Sequence, residues 1–147
     1  MLDRFELFTS HICDIYWTIQ KIEREEMEHY GLKGPHVQCL VALSSHSEGI
    51  TAARLSELCE KDKAAISRTV AELVQQGLVV RSGGGYRASL CLTEQGRVLA
   101  RKVNEKAQRA VLRAGQGLTD DDRAVLYASL ATISANLKTI SKGGLEP

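Results

Sequence analysis

The side chains able to do chemistry in this 147-residue chain are few and scattered. Four cysteines, Cys13, Cys39, Cys59 and Cys91, form no CxxC pair, so reduced thiols are expected rather than a disulfide framework or a zinc knuckle. His29, His36 and the acidic run from Glu23 to Glu28 have no recognisable metal-ligand spacing. There is no HExxH, no GxSxG and no phosphate-binding glycine loop after a strand, so neither an enzyme nor a cofactor is expected. One short stretch stands out, with Lys63, Ala64, Ser67 and Arg68 lying off the apolar stripe of one helix near its start. Small Ala64 and Ala65 allow close approach to base edges or thymine methyls. Ser67 can donate or accept, and Arg68 can pair bidentately with guanine or hold a phosphate. Taken singly, exposed Lys and Arg are usually only solvated, so the elements that carry them decide the reading.

Those elements follow from the apolar periodicity. Leu2, Phe5, Phe8, Ile12, Ile15, Ile19 and Ile22 recur every three or four residues with no breaker before Gly31, which predicts one long amphipathic helix. Gly34-Pro35 opens a second helix with a buried stretch from His36 to Leu43, closed by Ser47-Glu-Gly49. Thr51 is the expected N-cap of a two-turn helix that carries Leu55, Leu58 and Cys59 inward. Asp62 caps the next, whose apolar face is Ile66, Val70, Leu73 and Val74 and which stops at Gly77. Leu78 to Arg81 and Tyr86 to Leu92 are β-compatible segments around Ser82-Gly-Gly-Gly85, a small hairpin. Thr93 starts a basic helix towards Gly115. Thr119 opens the last helix with a capping box to Asp122, and Leu126, Leu130, Ile133, Leu137 and Ile140 form a coiled-coil-like seam.

Two short helices joined by Cys59-Glu-Lys61 and followed by a glycine-tipped hairpin give a mainly α fold, in outline a winged helix-turn-helix with a small β-hairpin wing. The length fits a single domain. Within it, residues 1–33 and 116–147 are read as dimerisation helices, 34–92 as the winged helix-turn-helix and 93–115 as a connecting helix. Long apolar stripes at both ends of so small a chain cannot all be covered from within, and a two-fold partner would bury them; the alternative is an intramolecular helical bundle. The uncharged runs at 34–47 and 124–137 fall short of the roughly 20 apolar residues that span a bilayer. The N-terminus has no apolar signal core, so no membrane contact and a cytoplasmic location are expected.

Composition first points away from nucleic acid, because nineteen Lys and Arg against eighteen Asp and Glu leave a net charge of only +1. The average hides a division. Residues 1–30 hold three basic and seven acidic side chains, a balance of −4; residues 61–87 hold five and two, or +3; residues 93–114 hold six and two, or +4. The basic excess falls on the helix-turn-helix, its wing and the helix that leaves it.

Ile50-Thr-x-x-x-Leu55-Ser-Glu57, Asp62-Lys-Ala-Ala-Ile-Ser-Arg68, Glu72-Leu73, Gly77-Leu-Val-x-Arg81 and Leu92-Thr-Glu-Gln-Gly96 closely resemble the multiple-antibiotic-resistance regulator (MarR) family of winged helix-turn-helix transcriptional regulators. The resemblance implies a homodimer with interleaved terminal helices, bound to double-stranded DNA at a pseudo-palindromic operator. Repression is the common mode among similar proteins. Thr51, Lys63, Ala64, Ser67, Arg68, Arg81 and Arg87 are the expected DNA contacts. Two departures stand out. Where many members carry Asp-Arg in the recognition helix this chain has Ala71-Glu72, and Glu72 is expected to turn away from DNA onto Arg68 or Gln76. The wing is short and lacks the Asp-x-Arg pair of many members, which leaves Arg87 as the minor-groove or phosphate contact and Arg81 at the wing base.

Similar proteins often release DNA on binding a small aromatic or anionic effector, or on oxidation of a cysteine. His11, Tyr16, Trp17, His36 and Gln38 supply the polar tips on amphipathic bodies that suit an effector pocket. Cys13 lies where peroxide-sensing relatives place a reactive thiol, although the adjacent Asp14 opposes thiolate formation; Cys39, Cys59 and Cys91 fall at core positions. The competing readings are a thiol-based redox-sensing regulator acting through Cys13 and a winged-helix protein-interaction module. The module would need an apolar or acidic outer face on residues 63–72.

Overall fold

A computed structural model describes residues 3–84 and 87–145. Leu2 of the first stripe, and Gly85 and Tyr86 of the expected wing tip, lie outside these. The chain divides into two compact units, residues 1–106 and 107–147.

The first unit begins with α1 (Arg4–Glu28), whose N-cap Asp3 accepts a hydrogen bond from the Phe5 N–H at 3.3 Å. Then come α2 (Gly34–Ser44), β1 (Ile50–Thr51), α3 (Ala52–Cys59), α4 (Lys63–Gln75), β2 (Val79–Ser82), β3 (Ser89–Leu92) and the start of α5 (Glu94–Ala114). Caps mark the boundaries: Thr51 Oγ1 accepts from the Arg54 N–H at 3.2 Å and Asp62 Oδ1 from the Ala65 N–H at 2.7 Å. Between α3 and α4 the chain turns on Glu60, which adopts the left-handed conformation at φ 52°. Gly77 (φ 75°) ends α4 in the same region at less cost, and the Leu78 N–H then donates back to the Leu73 carbonyl at 2.9 Å.

The sheet has three antiparallel strands in the order β1-β3-β2, with Val79 opposite Leu92, Arg81 opposite Leu90 and Thr51 opposite Ser89. β1 is a strand the sequence reading does not contain. Two residues cannot show alternation, and along the chain Thr51 is legible only as a cap. Thr51 therefore ends the strand and begins α3 at once.

The core gathers Leu40 and Leu43 of α2, Leu55 of α3, Ile66, Val70 and Leu73 of α4, Val79, Leu90 and Leu92 of the strands, and Ala100 and Val103 of α5. Two expected core residues are not there. Leu58 and Val74 are exposed, at 39% and 38%. On α4 the buried face centres on Ile66, Val70 and Leu73, and Val74 sits about 75° round the helix from that centre; Thr69, on the other flank, is buried in its place. α3 is two turns long and buries Leu55 alone, so Leu58 on its flank reaches solvent. Of the cysteines expected inside, Cys39 is buried while Cys59 and Cys91 are half-buried.

Gly96 is where α5 meets the wing. A Cβ added there would lie 2.1 Å from the Leu78 carbonyl oxygen, which belongs to backbone and already accepts from the Thr93 N–H at 3.0 Å. Gly96→Ala is expected to destabilise the fold by about 1–3 kcal/mol through overpacking. Urea unfolding measures it, and a loss below half that range would mean that the helix start simply shifts. Near the end of the unit Lys106 Nζ donates to Glu26 Oε2 at 2.5 Å and stands 5.1 Å from the centre of the Tyr30 ring. Bonding to Lys106 holds the Glu26 carboxyl below its usual range and, reciprocally, raises Lys106.

The second unit contains the end of α5 and α6 (Asp120–Gly143). Thr119 and Asp122 form the expected capping box: the Asp122 N–H donates to Thr119 Oγ1 at 3.1 Å and the Thr119 N–H to Asp122 Oδ2 at 3.0 Å. The Thr119 hydroxyl also donates to Asp122 Oδ2 at 2.7 Å, and this bond, with that from the Thr119 N–H, lowers the Asp122 pKa. No residue of α6 is buried, and Leu126, Leu130, Leu137 and Ile140 are all exposed. Among the described residues no helix is long and apolar enough to cross a membrane.

Candidate nucleic-acid interface

Packing divides α4 into two faces. Ile66, Thr69, Val70 and Leu73 are buried, and Lys63, Ala64, Ser67 and Arg68 are exposed on the other side. The division follows from period 3.6: four buried positions within two and a half turns leave the remaining positions of the first turns facing out. Asp62 Oδ1, holding the Ala65 N–H, fixes where the helix starts and so which side chains its first turn presents.

A concavity of about 210 Å³ opens between the start of α3, the outer side of α4 and the base of the wing. Lys63, Ser67 and Arg81 line it, with Ala52 and Ala53 of α3 and Ala88 before β3. Three of the expected DNA contacts, from two elements, thus share one surface. Arg87 is exposed two residues before β3. Thr51 is half-buried with its hydroxyl engaged in the α3 cap, which sets the helix-turn-helix geometry. Arg54 and Arg97, by contrast, are held by neighbouring carboxylates: Arg54 bonds Glu57 at 2.9 Å and Arg97 bonds Glu94 at 2.7 Å. Arg68, Arg81 and Arg87 make no ion pair among the described residues.

Arg68 borders a second cavity of about 290 Å³, behind α4 and against the start of α2. His36 and Gln38, two of the residues assigned to an effector pocket, line it together with Lys33, Lys61 and the Cys39 and Cys59 thiols. His11, Tyr16 and Trp17 do not; they are exposed on α1, where the Tyr16 and Trp17 rings meet edge to face at 5.3 Å. Burial pushes the Cys39 thiol up to about 12 and raises Cys59 as well, the opposite of what a reactive thiolate needs. Cys13 is exposed on α1 between Ile12 and Asp14.

Glu72 also lines this cavity, and its partner differs from the expected Arg68 or Gln76. Its Oε2 lies 2.5 Å from His36 Nε2, across the gap between α4 and α2. His36 Nδ1 accepts from the Lys33 N–H at 3.0 Å, so Nε2 carries the proton and donates to Glu72. The sequence could not show this contact, because its two residues are thirty-six positions apart. The only available signal was a histidine three residues into a helix whose cap, Lys33, has no side-chain acceptor of its own.

A profile of the MarR family matches residues 30–88, which run from the turn between α1 and α2 to the wing. None of the curated proteins matches the sequence. Solved structures do. A MarR-family transcriptional regulator from Silicibacter pomeroyi is 25% identical with a TM-score of 0.74, covering 85% of this chain and 86% of its own. A MarR transcriptional regulator from Methanosarcina mazei Go1 shares the fold at a TM-score of 0.82 and 24% identity, over 95% of this chain and 94% of its own. The stretch that carries the helix-turn-helix and the start of the wing is thus similar to the MarR family, and the chain shares its fold with MarR-family transcriptional regulators over most of its length.

Proposed function

We propose that the chain acts as a homodimeric repressor at a pseudo-palindromic operator. In this reading α4 enters the major groove, the wing lies along the adjacent backbone or minor groove, and a small aromatic or anionic effector releases the complex. The observation that carries it is the outer face of α4, where Lys63, Ala64, Ser67 and Arg68 stand clear of the core and where Lys63 and Ser67 share a concavity with Arg81. A helix that presents a small side chain beside a hydroxyl and a guanidinium fits a groove floor better than a protein surface. An interaction module would present apolar or acidic groups there instead. The dimer is supported by the apolar side chains that α1 and α6 each leave exposed. The effector is supported by the cavity behind α4, where the Lys33, Lys61 and Arg68 cations border partly apolar walls. On this reading residues 1–33 and 116–147 serve dimerisation and 34–92 serve DNA.

Selection of duplexes from a random-sequence pool tests the reading for an operator of any sequence. The protein should enrich a two-fold repeated motif. Arg68→Ala should bind the enriched duplex about 5- to 150-fold more weakly, from the roughly 1–3 kcal/mol of a good base contact, and should relax the preference at one position of each half-site. Affinity should fall steeply with salt as phosphate-bound counterions are released. No enrichment, or parent-like binding by Arg68→Ala, overturns the assignment of this face.

A further inference from the structure

We propose that His36 is a positioning residue for DNA binding, which by holding the Glu72 carboxylate on the α2 side keeps Arg68 unpaired for DNA; this rests on the interface assigned above. Arg68 and Glu72 are one turn apart on α4 and border the same cavity. Side chains at i and i+4 are neighbours on a helix, and opposite charges there attract. Glu72 is about half exposed, at 52%, and so free to swing, yet no Arg68–Glu72 ion pair forms. The carboxylate is taken by a ring that is itself only 4% exposed and fixed at its other nitrogen by the Lys33 N–H. A buried, doubly bonded imidazole is a rigid donor, and charge-assisted hydrogen bonds of this kind are the stronger ones. Arg68 is left without a carboxylate, and the negative charge is drawn back from the side on which phosphates would lie. The same cavity holds Lys33 and Lys61, which add to the pull on Glu72 away from the outer face.

The test is a set of variants measured on the duplex enriched by the parent protein, with melting temperatures recorded in parallel. Glu72→Ala removes the carboxylate and should bind with parent affinity or better. Glu72→Asp keeps the charge but falls short of His36, and should bind about tenfold more weakly with a salt slope reduced by about one counterion. His36→Phe should show the same loss, together with a lower melting temperature from the missing α2 cap. The double variant His36→Phe with Glu72→Ala should regain DNA affinity without regaining the melting temperature. In an Arg68→Ala background, His36→Phe should cost nothing further in affinity, the non-additivity expected of coupled neighbours. Equal effects of Glu72→Ala and Glu72→Asp, or a double variant as weak as His36→Phe, overturn the proposal and leave His36 as a cap for α2. Parent-like binding by Arg68→Ala instead overturns the interface reading beneath it, a separately visible result.

Discussion

Leu130→Glu combined with Leu137→Glu should turn the protein into a monomer and cut its affinity for a two-fold DNA site about 100-fold or more, the usual scale on which linked binding modules lose avidity. The expectation follows from α6, where Leu126, Leu130, Leu137 and Ile140 are all exposed on a helix that buries nothing. A two-fold interface repeats every substitution, so two changes remove four leucines. Each is worth roughly 1.5–3 kcal/mol when fully buried, and each is replaced by a charge that must stay hydrated. The capping box at Thr119 and Asp122 is untouched, so α6 should still form. Sedimentation equilibrium reads the oligomeric state and titration of the enriched duplex reads the affinity. A parent protein that is itself monomeric, or a double variant that remains dimeric, would place the interface elsewhere.

The second large effect lies in the core beneath the helix-turn-helix and wing. Leu40→Ala should lower the stability of the fold by about 2–5 kcal/mol, against the roughly 5–15 kcal/mol that holds an ordinary domain together. Leu40 is fully buried at the centre of α2, in the cluster that also contains Leu43, Leu55, Val70, Leu73 and Leu90. Its side chain is enclosed by helices and sheet together, so the cavity left behind has few ways to collapse. Urea unfolding at constant m-value gives the number. A loss under about 1 kcal/mol would show that the lobe repacks freely, and with it the argument for a rigidly held α4 would fail.

Why one part of this molecule is legible and another is not comes down to the distance over which each feature is encoded. The helices could be read because their signals are local: Asp62 before Lys63, Thr119 with Asp122, and Ile66, Val70 and Leu73 at helical spacing all act within two or three turns. β1 could not, since two residues carry no alternation and the strand exists only through its partner Ser89–Leu92. Val74 and Leu58 looked like core because periodicity counts apolar side chains on a face, whereas burial depends on how wide a strip the neighbouring elements cover. The outer face of α4 was legible as what remained once its apolar stripe was assigned. The partner of Glu72 was not, as nothing along the chain ties position 72 to position 36.

On the proposed function, the separation of α4 into two faces bears on how the protein would change its target over evolutionary time. Ile66, Thr69, Val70 and Leu73 hold the helix in place, and Lys63, Ala64 and Ser67 are exposed outside that packed face. A lineage can therefore exchange the outer letters one at a time at almost constant stability, and each exchange alters which base pairs are preferred. Position 68 is the exception. On the proposal above, an arginine there works when the carboxylate beside it is restrained or absent, which couples its exchange to positions 72 and 36. Drift in operator preference should be fast at three positions of the helix and stepwise at the fourth.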